Sequence, residues 1–233
     1  MIRVIIPYGG SDPHRQRSLT WVWEKMPGLL PDATVHVGNC SGPWSKAVAV
    51  ADAIDPDWPD DDILVVHDAD VWIPELPNAV EVVGTRARQW AVPHTLVVRI
   101  GENLSDRVMS GELGFNGLGR NGLDQPPYQG IPGGGCVVLS RAAYRQVPLD
   151  PRFRGWGQED ESWGFALRRI LGQPYQGRGK LFHLWHPHPE RLNRAVGSKD
   201  GEKLRNRYRA AQVVREEMER LLAEFRDDGS SAL

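Results

Sequence analysis

The chain has 233 residues, of which 40% are hydrophobic and 25% charged, and its formal net charge is −2. This composition is ordinary for a soluble globular protein with a substantial core, and the small net charge argues against bulk binding to nucleic acid. No stretch approaches the roughly twenty apolar residues of a membrane span, and the N-terminus lacks the features of a secretory signal. Cys40 and Cys136 have no C-x-x-C partner, so we expect a reduced, cytoplasmic protein without a disulfide framework.

The first seventy residues alternate between apolar runs and amphipathic segments. Strands are predicted over residues 2–7, 33–38 and 63–66. A helix after Asp12-Pro13 is predicted to end at Pro27-Gly28, with an apolar stripe of Leu19, Val22, Trp23 and Met26. A second helix carries Trp44, Ala47, Val48, Ala51 and Ile54 on one face. This alternation predicts a parallel sheet covered by helices, which is typical of a nucleotide-binding half-domain.

Two aspartates directly follow the third predicted strand. In an extended chain, residues two apart point the same way, so Asp68 and Asp70 are expected to share a face where the strand leaves the sheet. Two carboxylates this close repel each other unless a positive charge lies between them, and a hard divalent cation commonly supplies it. A plain Asp-rich turn fits the same residues, because D-x-D is common. Pro7 and Tyr8 also lie at the carboxyl end of a predicted strand, so both features are expected to face one cleft.

The middle of the chain is predicted to be less regular. A helix and two short strands are expected over residues 78–89, 90–93 and 95–100. Residues 101–134 are rich in glycine and show little periodicity, which is typical of a functional lid or of a surface excursion without a role. Three glycines at 133–135 precede a short strand over 136–139, and they let the backbone pass close to a ligand.

Acidic residues open the next predicted helix. Glu159, Asp160 and Glu161 follow a G-W-G turn, and the helix after them has an apolar stripe of Trp163, Leu167 and Ile170. Acidic residues at a helix N-terminus are often only partners of the helix dipole. Here a rigid turn presents them, which a simple helix cap does not require.

Three histidines and a long helix complete the chain. His183, His186 and His188 lie at the end of an apolar stretch. A final helix is predicted from residue 203 to 225, with a buried stripe of Leu204, Tyr208, Ala211, Val214, Met218, Leu221 and Phe225. Residues 226–233 are predicted to form a frayed tail.

Four ordered motifs together resemble those of the GT-A type glycosyltransferases, in the group that includes β-1,4-galactosyltransferases and polypeptide N-acetylgalactosaminyltransferases. They are I-I-P-Y, H-D-A-D-V-W, G-G-G-C-V-V-L-S-R and F-R-G-W-G-Q-E-D-E-S-W, and the resemblance covers residues 2–190. The last motif is the most specific, because G-W-G-x-E-D is close to the family's own pattern. The resemblance implies an α/β fold of the GT-A type: a Rossmann-like, single, mixed but mostly parallel sheet flanked by helices, with a C-terminal helix.

The resemblance also implies one glycosyltransferase domain over residues 1–225. Residues 1–100 would form its nucleotide-binding half and residues 101–190 its acceptor, lid and catalytic half. Residues 200–225 would form its C-terminal helix, and residues 226–233 a tail after the domain. Because the chain lacks the stem and anchor of secretory relatives, it resembles a cytoplasmic, bacterial or phage version of the family.

By resemblance, the motif H-D-A-D-V-W, which contains Asp68 and Asp70, belongs to the metal site. In the family, a bound divalent metal neutralises the diphosphate of a nucleotide-sugar as it becomes the leaving group. Asp70 would then be a direct ligand, and Asp68 would contact the ribose or a metal-bound water. His183 aligns best with the family's metal-binding histidine and His186 competes with it, although either one also fits a structural role. A mixed set of oxygen and imidazole ligands favours Mn²⁺ over Mg²⁺.

By resemblance, the G-W-G-Q-E-D motif belongs to the part of the site that binds and activates the acceptor hydroxyl. The acceptor hydroxyl needs a base, and the aspartate of this motif is the base in inverting members, which corresponds to Asp160. Glu159 would hold the acceptor sugar or hydroxyl. Retaining relatives commonly have asparagine in place of Asp160, so the aspartate favours inversion. Gly134, Gly135 and Trp156 would line the donor sugar and acceptor, although Trp156 also fits a plain core tryptophan.

The nucleotide contacts are where the chain departs from the family. The expected contacts are Pro7, Tyr8, Arg17, Lys46 and Asp68. Close relatives have an arginine directly after the Pro-aromatic pair, whereas this chain has Gly9-Gly10 there and reaches Arg15 and Arg17 only later. The base is therefore open, with a UDP-sugar as the favoured donor.

The sequence as a whole predicts a metal-dependent, inverting glycosyltransferase of the hexosyltransferase type. A retaining enzyme of the same fold and a non-catalytic sugar- or nucleotide-binding module stay open. A nucleotidyltransferase would leave G-W-G-Q-E-D unexplained. The acceptor could be a glycan, a protein or modified DNA. The segment from Arg168 to Arg209 is rich in arginine and lysine, which fits either a solvated face or a patch for an anionic acceptor.

Overall fold

The computed structural model of the protein describes residues 1–10, 12–118, 121–187 and 197–226, with the backbone alone at residues 197 and 198. The strands in these ranges are β1 (Ile2–Tyr8), β2 (Ala33–Asn39), β3 (Ile63–His67), β4 (Val71–Trp72), β5 (Trp90–Arg99), β6 (Tyr128–Gln129), β7 (Cys136–Ser140) and β8 (Tyr175–His183). The helices are α1 (Pro13–Leu29), α2 (Lys46–Asp52), α3 (Leu76–Gly84), α4 (Glu102–Met109), α5 (Arg141–Gln146), α6 (Glu159–Leu171), α7 (Gly197–Ala211) and α8 (Arg215–Ala223), and a 3-10 turn covers Phe115–Gly117.

The strands form one mixed sheet in the order β2-β1-β3-β7-β5-β8-β4, and β6 pairs with β5. Strand β1 is parallel to β2 and β3, while β7 is antiparallel to both β3 and β5. Strand β8 is parallel to β5 and antiparallel to β4. Five strands therefore run in one direction and three in the other. This architecture confirms the predicted fold class.

Both faces of the sheet are buried, which explains why the central strands are continuously apolar. Successive side chains of a strand point to opposite faces. Thus Val4, Ile6 and Val65 pack with α1 and α3, whereas the alternating residues Ile5, Leu64 and Val66 pack with α2, α5, α6, α7 and α8. The second core explains the predicted stripe of α6, whose residues Trp163, Leu167 and Ile170 are all buried.

Helix α1 differs from its prediction in two details. It continues to Leu29 with Pro27 inside its last turn. Trp23 is 51% exposed rather than part of the buried stripe, which consists of Leu19, Val22 and Met26 together with Arg15 and Ser18. The buried stripe thus contains fewer apolar residues than predicted, and it begins with the buried cation Arg15.

The middle of the chain is more regular than predicted. The two strands expected around Pro93 form one strand, β5, in which the pairing with β8 shifts register around His94 because proline cannot donate a ladder hydrogen bond. The glycine-rich segment 101–134 contains helix α4, which buries Leu104, Ser105 and Val108, as well as a 3-10 turn and β6. Helix α4 itself contains no glycine, but it is only eight residues long, and the glycines on both sides of it concealed its amphipathic pattern.

The predicted C-terminal helix is present but divided into α7 and α8. Val214 is extended (φ −121°, ψ 124°) and 40% exposed, although it was predicted to be buried. The break leaves the carbonyl of Gln212 outside a helix, and the guanidinium of Arg169 on α6 donates a hydrogen bond to it. The interruption re-aims α8 so that Met218, Leu221 and Phe225 join the second core. In the described ranges, no helix combines the length and the apolar character that crossing a membrane demands.

The topology brings several chain segments to one edge of the sheet. Strands β1, β3 and β8 end at this edge, and β4 and β7, which run the other way, begin there. Tyr8, Asp68, Asp70 and His183 therefore lie at the same edge as the glycines that precede β7. This is the edge at which open α/β sheets bind ligands.

Candidate active site

Three potential metal ligands meet where β8 ends and β4 begins. Asp70 is buried and its carboxylate lies 3.9 Å from Nε2 of His183 and 3.2 Å from Nε2 of His186. One ligand atom from each residue lies within 4.8 Å of the other two. Pairing of Val71 with His183 in the sheet and a hydrogen bond from the Leu184 amide to the Asp70 carbonyl hold the two segments together. We call these three residues the Asp70 cluster.

The backbone fixes which nitrogen of each histidine faces Asp70. Nδ1 of His183 lies 2.9 Å from the carbonyl of Leu184, and Nδ1 of His186 lies 2.9 Å from the carbonyl of Pro187. A carbonyl only accepts hydrogen bonds, so both Nδ1 atoms carry the proton and donate it. In the neutral ring this leaves a lone pair on Nε2, and that tautomer is the one that a metal requires.

The electrostatics of the Asp70 cluster favour an ionised carboxylate. Burial alone would raise the pKa of Asp70, but His183, His186 and Arg15 outweigh burial and hold this pKa well below its ordinary value. Burial lowers the pKa of His183. For His186 burial acts in the same direction, but the hydrogen bond and charge of Asp70 outweigh it and raise the pKa. The donor set of one carboxylate and two imidazoles thus fits a divalent transition metal.

Asp68 faces a different partner. Its carboxylate lies 2.7 Å from the ammonium nitrogen of Lys46, and the same nitrogen lies 2.8 Å from Oδ1 of Asp160. Lys46 is the first residue of α2 and is 6% exposed. Because two carboxylates surround this buried ammonium, they raise the pKa of Lys46 against the opposing effect of burial. Together with Glu159, these residues form the Asp160 cluster: Lys46, Asp68, Glu159 and Asp160.

The two acids at the start of α6 are forced toward protonation. Burial, followed by the charge of Asp160, raises the pKa of Glu159 to about 8. Burial also raises the pKa of Asp160, and Lys46 opposes this rise. Oε2 of Glu159 is buried and has no hydrogen-bond partner among the described residues. A carboxyl group with a raised pKa and a carboxylate paired to a lysine are the groups that general acid–base chemistry uses.

A strained turn presents these acids. Gln158, the residue before α6, has a left-handed backbone (φ 77°) that non-glycine residues rarely adopt. Its carbonyl accepts hydrogen bonds from the amide and the hydroxyl of Ser162. The strain lies directly beside Glu159 and Asp160, which is where functional sites commonly store it.

The glycine run before β7 packs on this helix end. A Cβ on Gly133 would lie 2.0 Å from the Asp160 carbonyl oxygen, so only glycine fits there. A Cβ on Gly134 would lie 3.4 Å from Oδ2 of Asp160, which places the Gly134 backbone beside the carboxylate. The carbonyl of Gly135 accepts a hydrogen bond from the Asp68 amide (2.9 Å). The run therefore contacts both Asp68 and Asp160.

An aromatic pair borders both clusters. Trp156 stacks on Trp44 with the ring centroids 4.8 Å apart, and the guanidinium of Arg15 lies 4.2 Å from the Trp156 ring centre. Nε of Arg15 is also 3.6 Å from Oδ2 of Asp70. Trp156 is 43% exposed, so it is not a core tryptophan. A Cβ on Gly9 would lie 2.3 Å from the Trp44 ring, which explains why glycine follows Pro7-Tyr8.

The residues expected to contact the nucleotide do not all lie in one place. Pro7 and Tyr8 are buried at the end of β1, and the Tyr8 hydroxyl has no hydrogen-bond partner in the described part of the chain. Arg17, in contrast, forms an exposed ion pair with Asp106 on α4 (2.5 Å) and is not brought to either cluster. Arg15 occupies the position next to Asp70 instead.

Arg15 and Trp44 lie at the site but were not predicted to belong to it. Arg15 precedes Leu19 by four residues, so it lies on the buried face of α1. The position of a charged residue on the apolar face of the predicted helix was a signal that could have identified Arg15. Trp44 precedes α2 and was interpreted as part of an apolar helix face. Its stacking on Trp156 connects residues 112 positions apart and has no local signal.

The basic residues near the C-terminus mostly have acidic partners. Arg205 and Arg209 on α7 lie 3.5 and 3.1 Å from the Glu161 carboxylate, and Arg207 pairs with Glu224. The contacts of Arg205 and Arg209 hold α7 against α6, and the Arg207–Glu224 pair connects α7 to the residue after α8. His188, Arg191, Arg194 and the tail beyond residue 226, all included in the sequence interpretation, lie outside the described residues.

Solved structures with a similar fold are glycosyltransferases. The catalytic domain of Drosophila β1,4-galactosyltransferase 7, in complex with xylobiose, matches with a TM-score of 0.52 and 13% identity over 88% of this chain and 79% of that chain. The chain has a GT-A fold. Glucosyl-3-phosphoglycerate synthase from Mycobacterium tuberculosis, in complex with Mn²⁺, UDP-glucose and phosphoglyceric acid, matches with a TM-score of 0.47 and 14% identity over 91% and 79% of the two chains. Neither a protein-family model nor a curated protein matches the sequence.

Proposed function

We propose that the protein is a metal-dependent, inverting glycosyltransferase that moves a sugar from a UDP-sugar to an acceptor hydroxyl. The observation that carries this proposal is the meeting of two carboxylate sites of opposite character at one edge of the sheet. The Asp70 cluster offers one carboxylate and two imidazole nitrogens. The Asp160 cluster offers a carboxylate beside the backbone of Gly134, and the exposed Trp156 precedes it by four residues in the turn before α6.

Asp70, His183 and His186 are the residues that would hold the metal, and their set of ligand types favours Mn²⁺ over Mg²⁺. When bound, the metal supplies positive charge for the diphosphate of the leaving group. Asp68 is paired with Lys46, so in this proposal it contacts the ribose of the donor or a metal-bound water, and it is not counted in the Asp70 cluster. The nucleotide-binding half corresponds to residues 1–100, and the acceptor and catalytic half to residues 101–190.

The reaction that fits the Asp160 cluster is a single displacement at the anomeric carbon. The acceptor oxygen forms a bond to this carbon on the face opposite the diphosphate, while the bond between the carbon and the diphosphate oxygen breaks. The acceptor proton passes to Asp160, and UDP leaves with the bonding electron pair. Attack from the opposite face inverts the configuration, as in inverting hydrolases that place a base there. Glu159, with its unpartnered oxygen, would hold the acceptor.

Arg15 replaces Arg17 in the proposed donor contacts. Its Nε is buried and lacks a hydrogen-bond partner among the described residues, although it lies 3.6 Å from Asp70. An unpaired guanidinium donor beside a metal-binding carboxylate is suited to a phosphate oxygen. Pro7 and Tyr8 would border the base, and the exposed part of Trp156 would line the sugar and the acceptor.

The test is donor turnover. Purified protein is incubated with UDP-galactose, UDP-glucose and other UDP-sugars, with MnCl₂ or with EDTA, and UDP release is measured. Metal-dependent UDP release from at least one donor is the expected result, and mass spectrometry of a panel of glycan, peptide and DNA acceptors then identifies the product. UDP binding without release from any donor would instead support a non-catalytic module. A product that keeps the donor's anomeric configuration would replace inversion by retention.

A further inference from the structure

Lys46 connects the donor side of the site to the nucleophile side. Its ammonium nitrogen lies 2.7 Å from Asp68, which follows β3, and 2.8 Å from Asp160, on the first turn of α6. The two carboxylates are 92 residues apart in the sequence and belong to different halves of the chain. Lys46 is the cation that the structure places between them.

The contacts of Lys46 leave it poorly suited to be mainly a nucleotide contact. An ammonium group has three N–H donors, and two of them face Asp68 and Asp160. Its side chain is 6% exposed, whereas those of Asp68 and Asp160 are 29% and 25% exposed. Both carboxylates therefore shield the ammonium from the cleft. A ligand in the cleft meets the carboxylates first.

Asp160 needs a counter-ion in this position. Glu159 precedes it on α6, and Asp68 faces it from the end of β3, so two other acids surround it. Three acids this close, of which Glu159 is buried, favour a shared proton over three charges. The Lys46 ammonium donates a hydrogen bond to Oδ1 of Asp160 (2.8 Å). Oδ2, beside Gly134, is left for another donor.

We propose that Lys46 is a positioning residue that keeps the Asp160 carboxylate charged and oriented, with Oδ2 free to accept the proton of the acceptor hydroxyl. This inference rests on the proposed function, because it assigns Asp160 the role of base. Lys46 acts through Asp160 and touches neither the donor nor the acceptor. Asp68 is then the second anchor of Lys46 and sets how much of its charge Asp160 receives.

The titration of Asp160 tests this role directly and needs no turnover. Carboxyl groups are labelled with ¹³C, and the Asp160 resonance is assigned by its loss in Asp160→Asn. The Lys46→Met variant, which keeps the length of the side chain without its charge, should raise the pKa of Asp160 by at least about one unit. Asp68→Asn should shift this pKa in the opposite direction, because it removes a negative charge and leaves Lys46 to Asp160 alone. Lys25→Met, at an exposed lysine of α1, should leave it unchanged.

Opposite shifts in the two variants support the proposal, and an unchanged Asp160 titration in both overturns it. If Lys46→Met does not fold, as judged by near-ultraviolet circular dichroism, Lys46→Gln replaces it: a raised Asp160 pKa in this variant supports the role and an unchanged one overturns it. Calorimetry with UDP and MnCl₂ separates the rival role. A tenfold loss of UDP affinity in Lys46→Met with the Asp160 titration unmoved would make Lys46 a donor contact.

The kinetic readout separates this inference from the proposed function. Where a UDP-sugar is turned over, Lys46→Met should move the acidic limb of the kcat profile to higher pH and change the KM for the donor by less than about threefold. An acidic limb that stays in place overturns the positioning role although the enzyme works. If no UDP-sugar is turned over, the proposed function fails, and the carboxyl titration still reports whether Lys46 controls Asp160.

Discussion

Asp70 and Asp160 lie at the same edge of one sheet, but their surroundings act on them in opposite ways. Two histidines and Arg15 surround Asp70 and hold its pKa well below the ordinary value. Asp160 has Glu159 and Asp68 as neighbours, and burial raises its pKa against the single opposing charge of Lys46. The Asp70 carboxylate is thus held in its ionised form, whereas the pKa of Asp160 is raised and its carboxylate takes up a proton more readily.

The difference indicates a division of labour within the site. A permanently ionised carboxylate with imidazole neighbours is suited to bind a cation, and it gains nothing from titrating. A base works best when its pKa lies nearer to the working pH. Titratable groups whose environments push their pKa values apart commonly mark the separate roles in a mechanism.

Asp160→Asn should abolish the base and leave the Asp70 cluster intact. We expect kcat to fall by about 10³-fold, within the range that general base catalysis commonly contributes, while the affinity for UDP with Mn²⁺ changes by less than about twofold. Steady-state UDP release and calorimetry measure the two quantities. Unchanged turnover in this variant would remove Asp160 as the base.

Changes in the Asp70 cluster should have the reverse pattern. Asp70→Asn, His183→Ala and His186→Ala are each expected to weaken Mn²⁺-dependent UDP binding by about 100-fold, because each removes a ligand or its charge. His36→Ala, at a histidine on β2 outside the site, is the control. If only one of the two histidine variants loses binding, the other histidine has a structural role.

Arg15→Gln should weaken UDP binding by about tenfold, the effect of losing one charge-assisted contact. Arg17→Gln is the matched control, because Arg17 lies two residues away on the same helix in an exposed ion pair with Asp106, and such pairs contribute little. Calorimetry in the presence of MnCl₂ compares them. Equal losses in both variants would return Arg17 to the donor site.

Glu159→Gln should change the pH dependence of stability. Because the folded-state pKa of Glu159 is raised to about 8 from an ordinary 4.5, the stability from its proton is complete below the unfolded pKa and is lost as pH rises through 8. Relative to the wild type, the variant should gain about 1 kcal/mol of unfolding free energy between about pH 6.5 and 7.5. Urea unfolding at several pH values measures this gain. A constant difference would mean that Glu159 is already ionised in the folded protein.

Local patterns in the sequence determined much of the fold. The buried strands β1 and β3 and the start of α6 follow from runs of apolar residues and from helix-start signals. The pattern was weakest where it was short and lay between glycines, so α4, which has eight residues, was missed. It was also weak where tertiary contacts interrupt a helix, as at Val214 between α7 and α8. In both places the chain's own propensity is small compared with the free energy of packing against the sheet.

The sequence by itself placed carboxylates and histidines at strand ends and predicted that one edge of a sheet would collect them. Only the tertiary structure decided which groups meet: both His183 and His186 reach Asp70, Arg15 lies beside Asp70 whereas Arg17 pairs with Asp106, and Lys46 joins Asp68 to Asp160. The physical reason is that burial and pairing depend on the distance between side chains in space. An aspartate beside two imidazoles has a lowered pKa, and an aspartate beside two acids has a raised one, and no local pattern records these neighbours.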